Sequence, residues 1–195
     1  MNADDIAQVM DIERESFPSM WPQTAYRREL QNKVARYFVI NELRDEPAAE
    51  GAASPGLWSA IRRIVGSDGD AAAERVLGFI GIWLLVGEAH IVTVAVRDEY
   101  RRIGIGERLV IAAIETALEY DQEVLTLEVR RSNDAAQLLY VKYGFDRVGL
   151  RKRYYTDNNE DAVLMTTPDI GSGGFLTLFD ALKQQHRAKN PDLWS

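Results

Sequence analysis

The chain of 195 residues has no cysteine and only two histidines, His90 and His186. Disulfides are therefore impossible, and a zinc or haem site built from His and Cys is in effect excluded. Any chemistry is expected to be metal-free or to use an ion held by carboxylates. Net positive charge is also missing: 23 Lys and Arg against 30 Asp and Glu leave -7, with an isoelectric point near 5.0. Nothing overall attracts nucleic acid, so no nucleic-acid partner is expected. No apolar run approaches the roughly 18 residues of a membrane span, and Asp4 and Asp5 stand where a secretory leader carries Lys or Arg. These absences point to a soluble, cytoplasmic protein without membrane contact.

The length suits one domain with a full core plus appendages. Ile6, Val9, Met10 and Ile12 have helical spacing, Phe17-Pro18 ends that pattern, and Pro22 opens a second helix to about Leu30. Tyr37 to Ile40 reads as a short strand. From 42 to about 74 the composition turns to Ala, Gly, Ser, Pro and charge, which marks an insertion. Val76 to Val86 and His90 to Val96 are apolar and β-branched, a hairpin across Gly87-Glu88. A long amphipathic helix follows Gly104-Ile105-Gly106, then a strand at Val124 to Arg130 and a helix at Asn133 to Tyr143. Phe145 to Val148 and Ala162 to Met165 suggest a closing pair of strands across a Tyr154 to Asp161 connection. Gly171-Ser172-Gly173-Gly174 reads as a linker before a terminal segment with Phe175, Leu178, Phe179 and Leu182 at helical spacing. The domain is thus expected to span 1–168, with a linker and helical tail at 169–195.

Arg101-x-x-Gly104-x-Gly106 combines glycines that admit an anion to the backbone with the outward amides of a following helix. It reads as a phosphate or diphosphate cradle or, more plainly, as a flexible turn before a surface helix. It is not a P-loop, because no Lys-Ser or Lys-Thr follows. It is not a dinucleotide fingerprint, because Leu109 occupies the third glycine position. In strand 124–130, Leu125, Leu127 and Val129 share one face and Thr126, Glu128 and Arg130 the other. Glu128 is a candidate base or a solvated charge; Ser132 and Asn133 suit a helix N-cap; Tyr140 suits a half-buried core position. His90 and His186 sit in no metal-ligand or catalytic spacing and read as structural or exposed.

Taken together, His90-Ile-Val-Thr-Val-Ala-Val96, Arg101-Arg-Ile-Gly-Ile-Gly106, Leu127-Glu-Val-Arg-Arg-Ser-Asn133, Leu139-Tyr140, Tyr143-Gly-Phe145 and Arg153-Tyr-Tyr155 resemble the ordered motifs of the GNAT acetyltransferases. More narrowly they resemble the ribosomal-protein-alanine N-acetyltransferase branch. The likeness runs from about Ile6 to Met165 apart from the insertion. It implies an α/β (α+β) fold with a mixed, mostly antiparallel twisted sheet splayed at its centre and flanked by helices, with acetyl-CoA in the gap. It further implies that Val94, Ala95 and Val96 face the pantetheine, that Arg101, Arg102, Ile103, Gly104, Ile105, Gly106 and Glu107 surround the pyrophosphate, and that Asn133 touches the cofactor. Glu128 matches the branch's proton acceptor and Tyr140 its proton donor. Phe17 and Trp21 on one side, and Tyr154 and Tyr155 on the other, match the acceptor groove.

The implied reaction is acetyl transfer to the N-terminal α-amino group of a protein, with no metal. The chemistry suits these residues. An α-amino group has a pKa of about 7.7–8.0 against about 10.4 for lysine, so freeing its base is easier by roughly 3.5 kcal/mol and suits a carboxylate base. A lysine or small-amine acetyltransferase, or a non-catalytic acyl-CoA sensor, is the alternative. The opening strand usual in the family is missing, very short or lost to the chosen start codon ahead of the first helix, and the insertion and tail fall outside the pattern. Trp58, Ile61 and Ile64 in the insertion, and Phe175, Leu178 and Phe179 in the tail, would be exposed apolar patches unless they dock on a partner or on their own domain.

Overall fold

The computed structural model describes residues 1–18, 22–42 and 75–194. Trp21 and nearly all of the expected insertion lie outside the described residues. The chain order is α1 (Ile6–Ser16), α2 (Gln23–Glu29), β1 (Ala35–Asn41), β2 (Val76–Leu84), β3 (Glu88–Val96), α3 (Ile105–Glu119), β4 (Val124–Arg130), α4 (Asp134–Lys142), β5 (Asp146–Tyr155), β6 (Glu160–Thr166) and α5 (Gly173–Lys189). Among the described residues no strand precedes α1; the Met1 amino group donates to the Tyr37 carbonyl of β1 at 3.3 Å.

The strands form one sheet in the order β1-β2-β3-β4-β6-β5. All neighbours are antiparallel except β3 and β4. Burial follows from that order. Central β2 is buried along Val76 to Ile82 because helices cover both of its faces. On one face α1 and α2 bury Ile6, Val9, Ile12 and Tyr26 against Phe79 and Ala95. On the other, Ile105, Leu109, Val110, Ala113, Ile114 and Ala117 of α3 pack on Ile80, Ile82, Ile91, Leu125 and Leu127. In β4, Leu125, Leu127 and Val129 are buried in strict alternation, the period of two read from the sequence.

Two expected segments differ. β5 runs from Asp146 to Tyr155, well past Val148, so Tyr154 and Tyr155 end a strand and do not belong to the turn. The strand is exposed on both faces for nearly its whole length, and Arg147, Arg151, Lys152 and Arg153 erase the alternation that would have marked it. The glycine-rich 171–174 stretch is the capped start of α5. The Ser172 hydroxyl accepts from the Phe175 amide, and Gly173 and Gly174 form the first helical residues. Phe175 and Phe179 are buried in the main core, so the tail packs on the domain.

Candidate active site

The gap arises from unequal strand pairing. β3 pairs with β4 only over Glu88–Ile91 against Val124–Leu127. Beyond that point β4 pairs with β6 on its other edge, from Thr126 to Arg130, while β3 continues against β2 up to Val96. The strands diverge because each is held on its far edge. The Arg97 amide donates to the Leu77 carbonyl of β2 at 2.9 Å. By strand alternation the Val96 and Val94 peptide groups turn toward the gap. Val96 presents its carbonyl there, where Arg101 Nε donates to it at 3.2 Å.

The turn expected to cradle an anion lies at the end of β3. Arg102 and Gly104 adopt left-handed backbone, with φ of 65° and 96°, and this reversal aims the start of α3 back at the gap. No side chain caps α3. The amides of Ile105, Gly106 and Glu107 therefore point outward with the positive end of a 15-residue helix behind them. A Cβ at Gly106 would meet only Val96 Cγ2, at 3.8 Å, so the backbone there is open to a ligand. The Ile105 side chain is buried in the core, leaving only its amide for the cradle. Glu107 is occupied: it accepts from the Tyr143 hydroxyl at 2.7 Å and pairs with Lys142 at 2.5 Å. Burial raises its pKa, but those two donors and the Lys142 charge outweigh it and hold the carboxyl below the usual range. Arg101 is tethered to Asp98 at 2.6 Å and to the Ser16 hydroxyl at 3.2 Å, which ties the cradle to the end of α1 beside Phe17. Asn133 caps α4, its side chain accepting from the Ala136 amide at 3.2 Å.

Glu128 leaves β4 on the polar face with its side chain 10% exposed. Its Oε1 pairs with Arg151 of β5 at 2.9 Å, and its Oε2 lies 3.1 Å from His90 Nε2. His90 Nδ1 meets the Thr126 hydroxyl at 2.8 Å, and that hydroxyl donates to Glu88. With Thr126 donating onward, its oxygen accepts from His90 Nδ1–H. In the neutral imidazole this tautomer leaves Nε2 as the unprotonated nitrogen facing Glu128 Oε2. His90, expected to be structural or exposed, stands beside Thr126, two residues before Glu128, through the parallel register of β3 and β4.

Tyr140 is buried on α4, its ring 5.6 Å from that of Phe145. Burial raises its pKa far above the ordinary value, with a smaller push from Tyr155, so the phenol keeps its proton at neutral pH. Tyr155 is pushed up to about 12, chiefly by burial and partly offset by Arg130, with Glu128 also contributing. Arg130 stacks over the Tyr155 ring at 4.0 Å, and the Tyr154 ring stands edge-on to Tyr155 at 5.2 Å. A register shift between Arg151 and Tyr155, with Arg153 at φ 54°, turns this end of β5.

A family model for the acetyltransferase (GNAT) family matches residues 6–145. The chain belongs to the GNAT acetyltransferase family. The acetyltransferase is 37% identical over 166 residues to a Bacillus subtilis protein provisionally named a ribosomal protein bS18-alanine N-acetyltransferase, spanning 85% of this chain and 90% of the relative. It is 32% identical over 168 residues to the N-alpha-acetyltransferase of Sulfurisphaera tokodaii, spanning 84% of this chain and 87% of that one. The crystal structure of the ribosomal-protein-S18-alanine N-acetyltransferase of Escherichia coli superposes with a TM-score of 0.65 at 23% identity, over 89% of this chain and 93% of that chain, a likeness of fold. The expected mixed, mostly antiparallel sheet flanked by helices is thus the one found. Among the described residues no helix is long and apolar enough to cross a membrane.

Proposed function

We propose that the enzyme transfers the acetyl group of acetyl-CoA to the N-terminal α-amino group of a protein, with a ribosomal-protein alanine terminus as the favoured acceptor. The observation that carries this reading is the Glu128–His90 pair, 3.1 Å apart and set on the polar face of the splayed sheet. It is supported by the relatives named above, whose names specify protein α-amino acceptors.

The residues present fit the cofactor. The open backbone at Gly106 and the uncapped start of α3 would hold the pyrophosphate, with Arg101, Arg102 and Ile103 in the turn before it. Val94, Ala95 and Val96 would run beside the pantetheine, with Asn133 across the gap at the start of α4. Acetyl-CoA supplies the acetyl group and a thiolate leaving group. The chain supplies proton handling and position. Glu128 takes the proton of the incoming ammonium and shares it with His90, which passes charge toward Thr126 and Glu88. Tyr140, kept protonated by burial, is the donor to the departing sulfur. Outward amides at Val94 and Val96 suit a developing oxyanion. Phe17 on one side and Tyr154 and Tyr155 on the other bound the acceptor groove; Trp21 lies outside the described residues.

The test is CoA release with two matched short peptides, one with a free N-terminal Ala and no lysine, the other N-blocked with one lysine. Turnover of the first alone is expected. Turnover of the second alone would reassign the enzyme to lysine side chains, and silence on both with acetyl-CoA still bound would favour a different acceptor or a sensor.

A further inference from the structure

Helix α5 lies outside the segment matched by the family model, yet its C-terminal end closes on the cradle. His186 is 3% exposed. Its Nε2 is 3.0 Å from the Gly104 carbonyl, and its Nδ1 accepts from Trp194 Nε1 at 3.0 Å. Because the indole N–H can only donate, Nδ1 must be the unprotonated nitrogen, and Nε2–H therefore donates to Gly104. Trp194 is itself fixed: Arg108, in the first turn of α3, stacks over its ring at 4.2 Å. Asn190 Nδ2 donates to the His186 carbonyl at 3.2 Å. Asn190 and His186 sit so close behind Gly104 that a Cβ there would lie 3.0 Å from each.

The Gly104 carbonyl and the Ile105 amide belong to one planar peptide unit and point in opposite directions. The carbonyl already accepts the Arg108 amide at 2.9 Å, the first bond of α3. A second donor on the same oxygen fixes the tilt of that plane, and with it the direction of the Ile105 N–H on the cradle side. We propose that His186, locked in one tautomer by Trp194, is a positioning residue for the diphosphate of CoA, holding the Gly104–Ile105 peptide from behind. The tail is then part of the cofactor site although none of its residues needs to touch the cofactor. This rests on the acetyl-CoA reading above.

The test compares the full-length wild type with His186→Leu, His186→Gln and Trp194→Phe, by calorimetric titration with CoA and by steady-state kinetics. Leu fills similar space without a donor, whereas the Gln amide can donate to Gly104 and accept from Trp194. His186→Leu should weaken CoA binding about fivefold to tenfold, the size of one lost hydrogen bond. Its kcat at saturating acetyl-CoA and its KM for peptide should stay within about twofold. His186→Gln should restore binding to within about twofold of wild type, and Trp194→Phe, which frees the imidazole without opening the core, should weaken it about twofold to threefold. CoA affinity unchanged in both His186→Leu and Trp194→Phe, or a loss shared equally by kcat and peptide KM, would overturn the assignment while leaving the acetyl-CoA reading intact. If His186→Leu does not fold, Trp194→Phe decides alone. A wild type that binds no CoA would overturn both.

Discussion

In the proposed mechanism, Glu128 and Tyr140 divide the proton work by their surroundings. Glu128 sits between an arginine and a histidine at 2.9 and 3.1 Å, in polar surroundings. Tyr140 is buried beside Phe145, where the phenolate is strongly disfavoured. Replacing Glu128 by Gln keeps the shape but removes the sink; kcat is expected to fall about a hundredfold or more, with CoA affinity in calorimetric titration changed less than about twofold. Near-wild-type turnover would remove Glu128 from its role. Tyr140→Phe keeps the ring and its packing on Phe145. A fall in kcat of about tenfold to a hundredfold with unchanged CoA binding is expected, and a rate within twofold of wild type would leave the phenol a core residue only. At this scale the identity and strand face of Glu128 were legible because a period-two strand announces which side chains it turns outward. His90 was not legible, since its partner lies 38 residues away and meets it only through the β3–β4 register.

Among elements, the β4–β6 pair carries its own pH dependence. Glu160, at the start of β6, accepts from the Ser132 amide at 2.7 Å, from Asn158 at 3.1 Å and from Arg130 at 3.2 Å. It thereby ties the β4–α4 connection to the hairpin that carries Tyr155. The Ser132 hydrogen bonds, then those of Asn158 and Arg130, hold its pKa down from 4.5 to about 2. A carboxyl lowered on folding stabilises the protein fully above its ordinary pKa and loses that contribution as pH falls through the folded value. Acid unfolding of the wild type should therefore steepen between about pH 4.5 and 2, and Glu160→Gln should flatten stability across that window. Parallel curves for the two proteins would show that the contacts contribute nothing. Sequence reading found the strands with alternating or wholly apolar faces, β2, β3 and β4. It shortened β5 because a charged strand exposed on both faces carries neither signal. It gave Asn133 to an N-cap and, through the family resemblance, to the cofactor; the Ala136 bond establishes the cap.

For the molecule as a whole, the tail is the part most changed by seeing it folded. Phe175 is 5% exposed whereas Leu178, one turn on, is 43% exposed. Phe175→Ala is expected to cost about 3 kcal/mol in urea-unfolding stability, and Leu178→Ala less than about 1 kcal/mol. Equal effects would mean that α5 does not dock by the face described. The expectation of a flexible linker at 171–174 arose because glycine clusters usually mark loops, and here Ser172 turns two of those glycines into the first turn of a helix.

The sequence by itself determined the strand and helix periods, the turn at Arg102 to Gly106, the family, and Glu128 and Tyr140 as candidates, because each depends on neighbours a few positions away or on an ordered series of short motifs. Tertiary structure alone decided that β3 and β4 part after Ile91, that His90 meets Glu128, and that His186 reaches back 82 residues to the Gly104 carbonyl. Those contacts are fixed by strand register and helix docking, which arise when the whole core packs and leave no period in the chain to read.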